Sequence, residues 1–250
     1  MAGEILDNQG RGDAVWTMPS THPEGRKYAI AVALVGLFFL FPIGWGWVGW
    51  PLLALSGAVL AFFRDPERVV PQDDNVIVSP ADGIVSLICQ VEPPLELQVE
   101  DGSGTRGLPP GPVTRISIFM SVFDVHINRT PIGGVVRRIV YMPGTYINAD
   151  LDKASEQNER QHFLVERADG TLIGFTQIAG LVARRIISFV KPGDTVAAGQ
   201  RIGLIRFGSR MDVFLPAGTD PKVLMGQKVV AGETALAELG QQRLLEGILQ

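Results

Sequence analysis

The chain has 250 residues, a net charge of -4 and a hydrophobic content of 46%, which is high for a purely soluble protein. The acidic balance and the lack of a basic patch interleaved with aromatic residues argue against a nucleic-acid partner. The single cysteine, Cys89, excludes an internal disulfide and suits a reducing compartment.

The N-terminal part of the chain changes abruptly from polar to apolar. Residues 1–25 are polar with several Gly and Pro, which predicts a flexible N-terminus. Residues 28–63 contain no charge, and as one helix they would measure about 54 Å, against about 30 Å for a hydrocarbon core. The stretch PIGWGWVGWP, residues 42–51, interrupts helix with Pro and Gly and supplies Trp residues suited to a membrane boundary. Residues 26–68 are therefore predicted to form a membrane-associated helical hairpin.

Positive charges flank this hydrophobic segment. Arg26 and Lys27 precede it and Arg64 and Arg68 follow it, so both ends are predicted to stay on the cytoplasmic face of the cell membrane. Each arm is at the short end of spanning length, which leaves open whether the hairpin crosses the bilayer or enters one leaflet. The late start and the charged RDPER sequence that follows argue against a cleaved signal peptide.

Residues 69–250 have the pattern of a β-rich domain, so the predicted fold class is mainly β (α+β). Apolar alternation between turn residues predicts short strands at 76–78, 83–88, 115–120, 134–141, 163–167, 172–178 and 186–190. Residues 168–170 predict a tight hairpin turn. Residues 92–112, rich in Pro and Gly, predict a long surface loop. Helical periodicity outside the hairpin is limited to a turn near 150–159 and the tail 232–249.

The stretch RIGLIRFGSRMDVFLP, residues 201–216, predicts strand on both sides of Gly208 and Ser209. A glycine inside a strand usually marks a bulge or a close backbone approach, and a β-bulge is the simplest structural interpretation of this pair. Ser209 is not surrounded by a G-x-S-x-G sequence, which excludes an α/β-hydrolase nucleophile.

Candidate acid–base residues are few. Of the three histidines, His22 lies in the polar N-terminus and His162 begins a predicted strand, whereas His126 follows a strand at a transition where active-site residues are often presented. Asp82 precedes a glycine, as in ordinary turns. With Ser209, His126 and Asp82 would supply the base and the acid of an activated nucleophile, although spacing alone does not show that they meet.

Five motifs extend this interpretation: FFRDPER (62–68), SPADG (79–83), DVHINRTP (124–131), NER (158–160) and FGSR (207–210). They occur in the order seen in phosphatidylserine decarboxylases, and the chain resembles the short bacterial form of that family over most of residues 26–216. The resemblance implies self-cleavage between Gly208 and Ser209 into a large and a small chain. It also implies that His126 activates Ser209 and that Asp82 orients the imidazole.

The same resemblance implies the chemistry. Ser209 would become a covalent pyruvoyl group, which forms a Schiff base with the amine of phosphatidylserine and yields phosphatidylethanolamine, with no metal or soluble cofactor. The implied partners are the membrane, the lipid substrate and the two chains of the proenzyme, and a homo-oligomer is left open. Two alternatives remain: a decarboxylase of a related serine phospholipid, and a membrane-anchored carrier or adaptor without catalysis.

Three features depart from these patterns. Phe123 stands where long family members commonly have a histidine, so the role of that histidine cannot be transferred. Arg184 and Arg185 stand where the family often has Gly-Ser, and they either bind lipid phosphate or face water. Residues 190–205 resemble the turn of biotinyl and lipoyl carrier domains, but Lys191 lies in the turn itself and not at the modified position.

Overall fold

The computed structural model describes residues 18–98, 106–145, 157–180, 185–206, 208–243, 245 and 247. In chain order the elements are β1 (Ser20–Thr21), α1 (Pro23–Leu40), α2 (Gly46–Phe62), β2 (Arg64–Asp65), β3 (Val76–Val78), β4 (Gly83–Val91), α3 (Leu95–Gln98), β5 (Val113–Met120), β6 (Ile127–Arg129), β7 (Gly134–Met142), β8 (Arg160–Glu166), β9 (Leu172–Ala179), β10 (Ile186–Ser188), β11 (Thr195–Val196), β12 (Arg201–Ile205), β13 (Ser209–Phe214), β14 (Lys228–Val229) and β15 (Ala235–Glu238). The described chain is thus mainly β, as predicted.

Helices α1 and α2 pack against each other through small residues. Ser56 donates a hydrogen bond from Oγ to the Ala29 carbonyl oxygen at 2.8 Å. A Cβ atom on Gly49 would lie 2.9 Å from the Gly36 carbonyl oxygen, so a larger residue would force the helices apart. The large apolar side chains of both helices are mostly exposed. Within the described residues, no helix has both the length and the apolar character needed to cross a membrane.

The β-domain is built around two packed sheets, and β3 and β15 form a further two-stranded sheet in it. The larger has eight strands in the order β11-β7-β8-β9-β13-β5-β4-β14, and the smaller has three in the order β10-β12-β6. Met211 of β13 and Ile118 of β5 belong to one buried cluster with Ile202 and Ile205 of β12. One face of the large sheet therefore packs on the small sheet, and the main core lies between them.

The opposite face of the large sheet is covered by part of the predicted loop 92–112. This segment contains the short helix α3, whose Leu97 is buried in a second cluster with Leu164 of β8 and Phe214 of β13. The segment is thus packed structure over its described part, and residues 99–105 lie outside that part.

The predicted strands are confirmed with ends shifted by a few residues. The hairpin at 168–170 is also confirmed, because β8 and β9 pair antiparallel with Glu166 opposite Leu172. Gly170 has a φ of 83°, a left-handed conformation that glycine adopts without steric cost.

The predicted helix at 232–249 is wrong. Residues 235–238 form β15, which pairs antiparallel with β3, and its Leu236 and Ala237 are fully buried. The sequence ALAE favours helix locally, but pairing with β3 and burial of two apolar side chains outweigh that preference. Most of the turn predicted near 150–159 lies outside the described residues.

Candidate active site

Gly208 and Ser209 lie where the chain passes from one sheet to the other. Strand β12 ends at Ile205 in the small sheet, and β13 begins at Ser209 in the large sheet. The pair is therefore a corner between two layers, which corrects the predicted bulge within one strand. Gly208 has a φ of 55°, and no described atom lies within 4 Å of the position that a Cβ would take. The backbone before Ser209 is thus left-handed and uncrowded.

The Ser209 side chain is enclosed by the core. Ser209 pairs with Met120 of β5 on one side and with Ala179 of β9 on the other, and it is fully buried. Its Oγ has no hydrogen-bond partner among the described residues. A buried hydroxyl without a partner costs free energy, so its presence calls for a structural or chemical reason.

A second connection crosses between the sheets beside this corner. Strand β5 ends at Met120 in the large sheet, and β6 begins at Ile127 in the small one. At one end of the crossing Met120 pairs with Ser209, and at the other the Ile205 N–H donates to the His126 carbonyl oxygen at 3.3 Å. The structure therefore brings His126 and Ser209 into neighbouring connections.

The geometry of His126 suits a general base. Its Nδ1 lies 3.0 Å from the Asp124 carbonyl oxygen, a contact in which Nδ1–H is the donor and Nε2 keeps its lone pair. Nε2 is buried, and no group in the described part of the chain bonds to it. Burial, with the Phe62 ring 4.4 Å away, lowers the pKa of His126 to about 4. At neutral pH the imidazole is uncharged and able to accept a proton.

Asp82 is placed differently from the prediction. Its Oδ2 accepts a hydrogen bond from Arg68 at 2.6 Å, and its Oδ1 accepts one from the Ala231 N–H at 2.8 Å. Burial raises the pKa of Asp82, and the Ala231 N–H and Arg68 oppose the rise. Asp82 and His126 share no hydrogen bond in the described chain, and the group that orients the imidazole is the Asp124 carbonyl.

The remaining candidates lie away from Ser209. His162 is buried in β8, where Nδ1 contacts Thr176 Oγ1 at 2.8 Å, and the strand register puts it on the opposite face of the large sheet. His22 stacks on Phe189 at the start of α1. Arg185 is exposed, and Arg184 lies outside the described residues.

Two buried amides lie on the Ser209 side of the large sheet and were not predicted from sequence. Gln177 Nε2 donates to Asn128 Oδ1 at 2.8 Å, and Gln177 lies opposite Met211, on the same face of the sheet as Ser209. Both amides are fully buried, and Gln177 Oε1 has no partner in the described structure. No sequence signal separated them from solvent-facing polar residues, because Asn128 is followed by Arg129 and Gln177 is preceded by Thr176.

The NER motif supports the strand beside Ser209. Asn158 Nδ2 donates to the Ala179 carbonyl oxygen at 2.7 Å, and the Ala179 N–H donates to the Glu159 carbonyl oxygen at 2.9 Å. Glu159 also accepts from the Ile186 N–H at 3.2 Å. The motif therefore fixes the end of β9, which pairs with Ser209, and the start of β10.

Comparisons with known proteins agree with this site. The family model described as phosphatidylserine decarboxylase matches residues 55–237, a range that includes Asp82, His126 and Ser209. A protein of Novosphingobium aromaticivorans is 66% identical over 250 residues, covering 100% of this chain and 99% of that protein. One of Erythrobacter litoralis is 66% identical over the full length of both, and one of Zymomonas mobilis is 56% identical over 227 residues, or 91% of this chain and 90% of that protein. All three carry the name phosphatidylserine decarboxylase proenzyme.

These matches place the chain in the class of decarboxylase enzymes. It belongs to the phosphatidylserine decarboxylase family. The predicted resemblance is confirmed, and the alternative of a carrier or adaptor without catalysis is wrong.

Proposed function

We propose that the protein converts phosphatidylserine to phosphatidylethanolamine at the cytoplasmic membrane surface, with a pyruvoyl group made from its own Ser209. The observation that carries this proposal is the buried hydroxyl of Ser209, which has no hydrogen-bond partner in the described part of the chain, follows a left-handed glycine and lies in the connection next to that of His126. The relatives bear the name of that decarboxylase and of a proenzyme.

The first stage is self-cleavage. His126 accepts the Ser209 hydroxyl proton, the oxygen adds to the Gly208 carbonyl carbon, and the C–N bond breaks as an ester forms. Loss of the Ser209 α-proton and departure of the Gly208 carboxylate leave dehydroalanine, which water converts to a ketone with release of ammonia. The stage consumes one water in total. Gly208 aids it because no described atom crowds the Cα beside the attacked carbonyl.

The residues around position 209 fit a small ketone. Ser209 Oγ is a polar atom inside the core with no partner among the described residues, and Gln177, which bonds to Asn128 of the small sheet, lies on the same face of the large sheet. When formed, the pyruvoyl carbonyl supplies an electrophile for the substrate amine. It also accepts the electron pair that stays on the substrate when carbon dioxide leaves. The chain's own part is to hold that position between β5 and β9 and to exclude bulk water from it.

Two measurements on the purified protein test the proposal. Intact mass should show two chains, the first ending at Gly208 and the second comprising residues 209–250 with a ketone in place of its amino terminus. Incubation with phosphatidylserine should release carbon dioxide and phosphatidylethanolamine, and a parallel assay with other serine phospholipids defines the lipid backbone that is accepted. A single unmodified chain that still decarboxylates the lipid would refute the mechanism.

The role of Asp82 is tested by comparing it with its ion-pair partner. We expect Asp82→Asn and Arg68→Met each to slow self-cleavage about tenfold, because both break a largely buried pair that ties residue 68 to the turn before β4. The fraction of divided chain on a denaturing gel over time gives the rate. If Asp82→Asn alone slowed cleavage, Asp82 would act directly on the imidazole and not through Arg68.

We further propose that α1 and α2 attach the enzyme to the membrane. Small residues at the contact between the helices leave Phe41, Trp47 and Trp50 exposed, an arrangement suited to lipid and costly in water. Arg26 and Lys27 are exposed near the start of α1, where they complement anionic head groups.

Membrane attachment should therefore resist salt. We expect the protein to sediment with membranes after a wash in 1 M salt (~3 Å Debye length), because hydrophobic contacts are not screened, and to be released by detergent. Sedimentation followed by immunodetection measures the bound fraction. Release of the full-length protein by salt alone would show that attachment is electrostatic.

A further inference from the structure

An exposed apolar tip stands next to the candidate base. The turn between β5 and β6 carries Val122, which is 47% exposed, and Phe123, which is 82% exposed. Two residues later the chain is buried again at Val125, which is followed by the buried His126. A phenyl ring held almost entirely in water forgoes the stabilisation that burial would give, so binding of an apolar partner to Phe123 is favoured.

The tip is held in place by its surroundings. Asp124 Oδ2 accepts hydrogen bonds from the Ser121 N–H at 2.8 Å and from Ser121 Oγ at 2.7 Å, which closes the turn. Arg64, just after α2, donates to the Phe123 carbonyl oxygen at 2.6 Å. The Phe123 ring is therefore presented outward by a fixed backbone.

The tip is continuous with the base of the helical hairpin. Phe62 and Phe63 at the end of α2 form one buried cluster with Val125 and Ile127, the residues on either side of His126. Gly25 of α1 packs against Phe63, so the exposed Arg26 and Lys27 lie at the same end of the hairpin. The apolar tip, the ends of both helices and a group of positive charges thus occupy one side of the protein.

We propose that Val122 and Phe123 enter the head-group and acyl boundary of an anionic phospholipid bilayer and seat the His126 connection at the lipid surface. The occupant is a bilayer because the tip adjoins helices whose large apolar side chains are exposed and cations that complement anionic lipid. This inference rests on the proposed function. The hairpin provides attachment, and the tip sets the distance between the lipid head group and the site.

The test compares two forms of the same substrate with the full-length, self-cleaved enzyme. Phosphatidylserine is supplied either in vesicles or as a short-chain, monomeric lipid, and kcat/KM is measured for both. In the Val122→Ser/Phe123→Ser variant we expect kcat/KM for vesicles, divided by kcat/KM for the monomeric lipid, to fall about tenfold. The cause is a rise in KM for vesicles. Phe123→Leu should restore most of the ratio. Leu95→Ser is the matched control, since Leu95 is 71% exposed in α3 beyond the far end of β5.

A second measurement detects contact directly. A polarity-sensitive fluorophore on Phe123→Cys, in a Cys89→Ser background, should shift to shorter wavelength when anionic vesicles are added, and the same label on Leu95→Cys should not. Three results would overturn the inference. They are an unchanged ratio of kcat/KM values, an equal loss of activity on both forms of the lipid, and a fluorescence shift that depends on protein concentration without vesicles. Wild-type self-cleavage and turnover of the monomeric lipid report on the proposed function separately.

Discussion

Replacing Ser209 with alanine should leave one undivided chain of 250 residues with no decarboxylase activity. Without the hydroxyl, nothing can add to the Gly208 carbonyl, and no ketone can form at position 209. The fold should survive, because the hydroxyl bonds to no group among the described residues and its removal leaves none of them unpaired. A denaturing gel and intact mass follow division, and release of carbon dioxide follows activity.

Ser117→Ala is the matched control. Ser117 is also a buried serine whose Oγ has no hydrogen-bond partner among the described residues, but the register of β5 and β13 puts it opposite Asp212, on the other face of the large sheet. Its variant should divide at the wild-type rate. The Ser209→Thr variant should divide slowly. Its decarboxylase activity should fall by a larger factor than its cleavage rate, because the product would be a 2-ketobutyryl group with an added methyl. Division of Ser209→Ala would contradict the assignment of the cleavage site.

Replacing His126 with alanine should also leave the precursor undivided. General-base assistance is worth about 100- to 10,000-fold, so cleavage that is complete in wild type should be barely detectable in the variant. In wild type the pKa of about 4 predicts that the cleavage rate holds as pH falls to 5 and declines only as the imidazole is protonated near pH 4. A rate measured from the gel between pH 4 and 8 gives this profile.

The lowered pKa of His126 also affects stability. Because the folded-state pKa lies below the ordinary value of 6.5, the unfolded chain binds the proton more readily, and stability falls as pH drops from about 6.5 toward 4.

His162→Ala serves as the control for the cleavage measurement on His126→Ala, since His162 lies on the opposite sheet face. Normal division of His126→Ala would remove His126 as the base.

The strands were predictable because each depends on a local pattern. Strands β5 and β9 have apolar residues at alternate positions and are flanked by turn residues. The pair Asp169-Gly170 favours a tight turn in any fold, which explains the predicted hairpin between β8 and β9. The relation of Ser209 to His126 was visible only through the order of five motifs. Residue spacing alone could not show that the β5–β6 and β12–β13 connections lie side by side between the two sheets.

The remaining errors concern interactions between residues that are distant in sequence. Asp82 precedes a glycine whether it contacts a histidine or an arginine, so no local pattern identifies Arg68 as its partner. The tail sequence ALAE favours helix by composition, and only the distant strand β3 makes it extended. Asn128 and Gln177 stand next to the polar residues Arg129 and Thr176 in their strands, so local sequence does not show that their amides face the core.

The position of β13 has a consequence for the lifetime of the enzyme. Once the proposed cut is made, residues 209–250 form a separate chain whose strands β13, β14 and β15 all pair with strands of the other chain. Strand β13 lies between β9 and β5, so the short chain cannot leave without opening the middle of the sheet. A mature molecule that unfolds has lost the covalent link that delivered β13 to its place. Refolding of a cleaved molecule therefore requires two separate chains to associate, and this bimolecular reaction slows as the protein is diluted. The active enzyme thus depends on the single folding event that precedes cleavage.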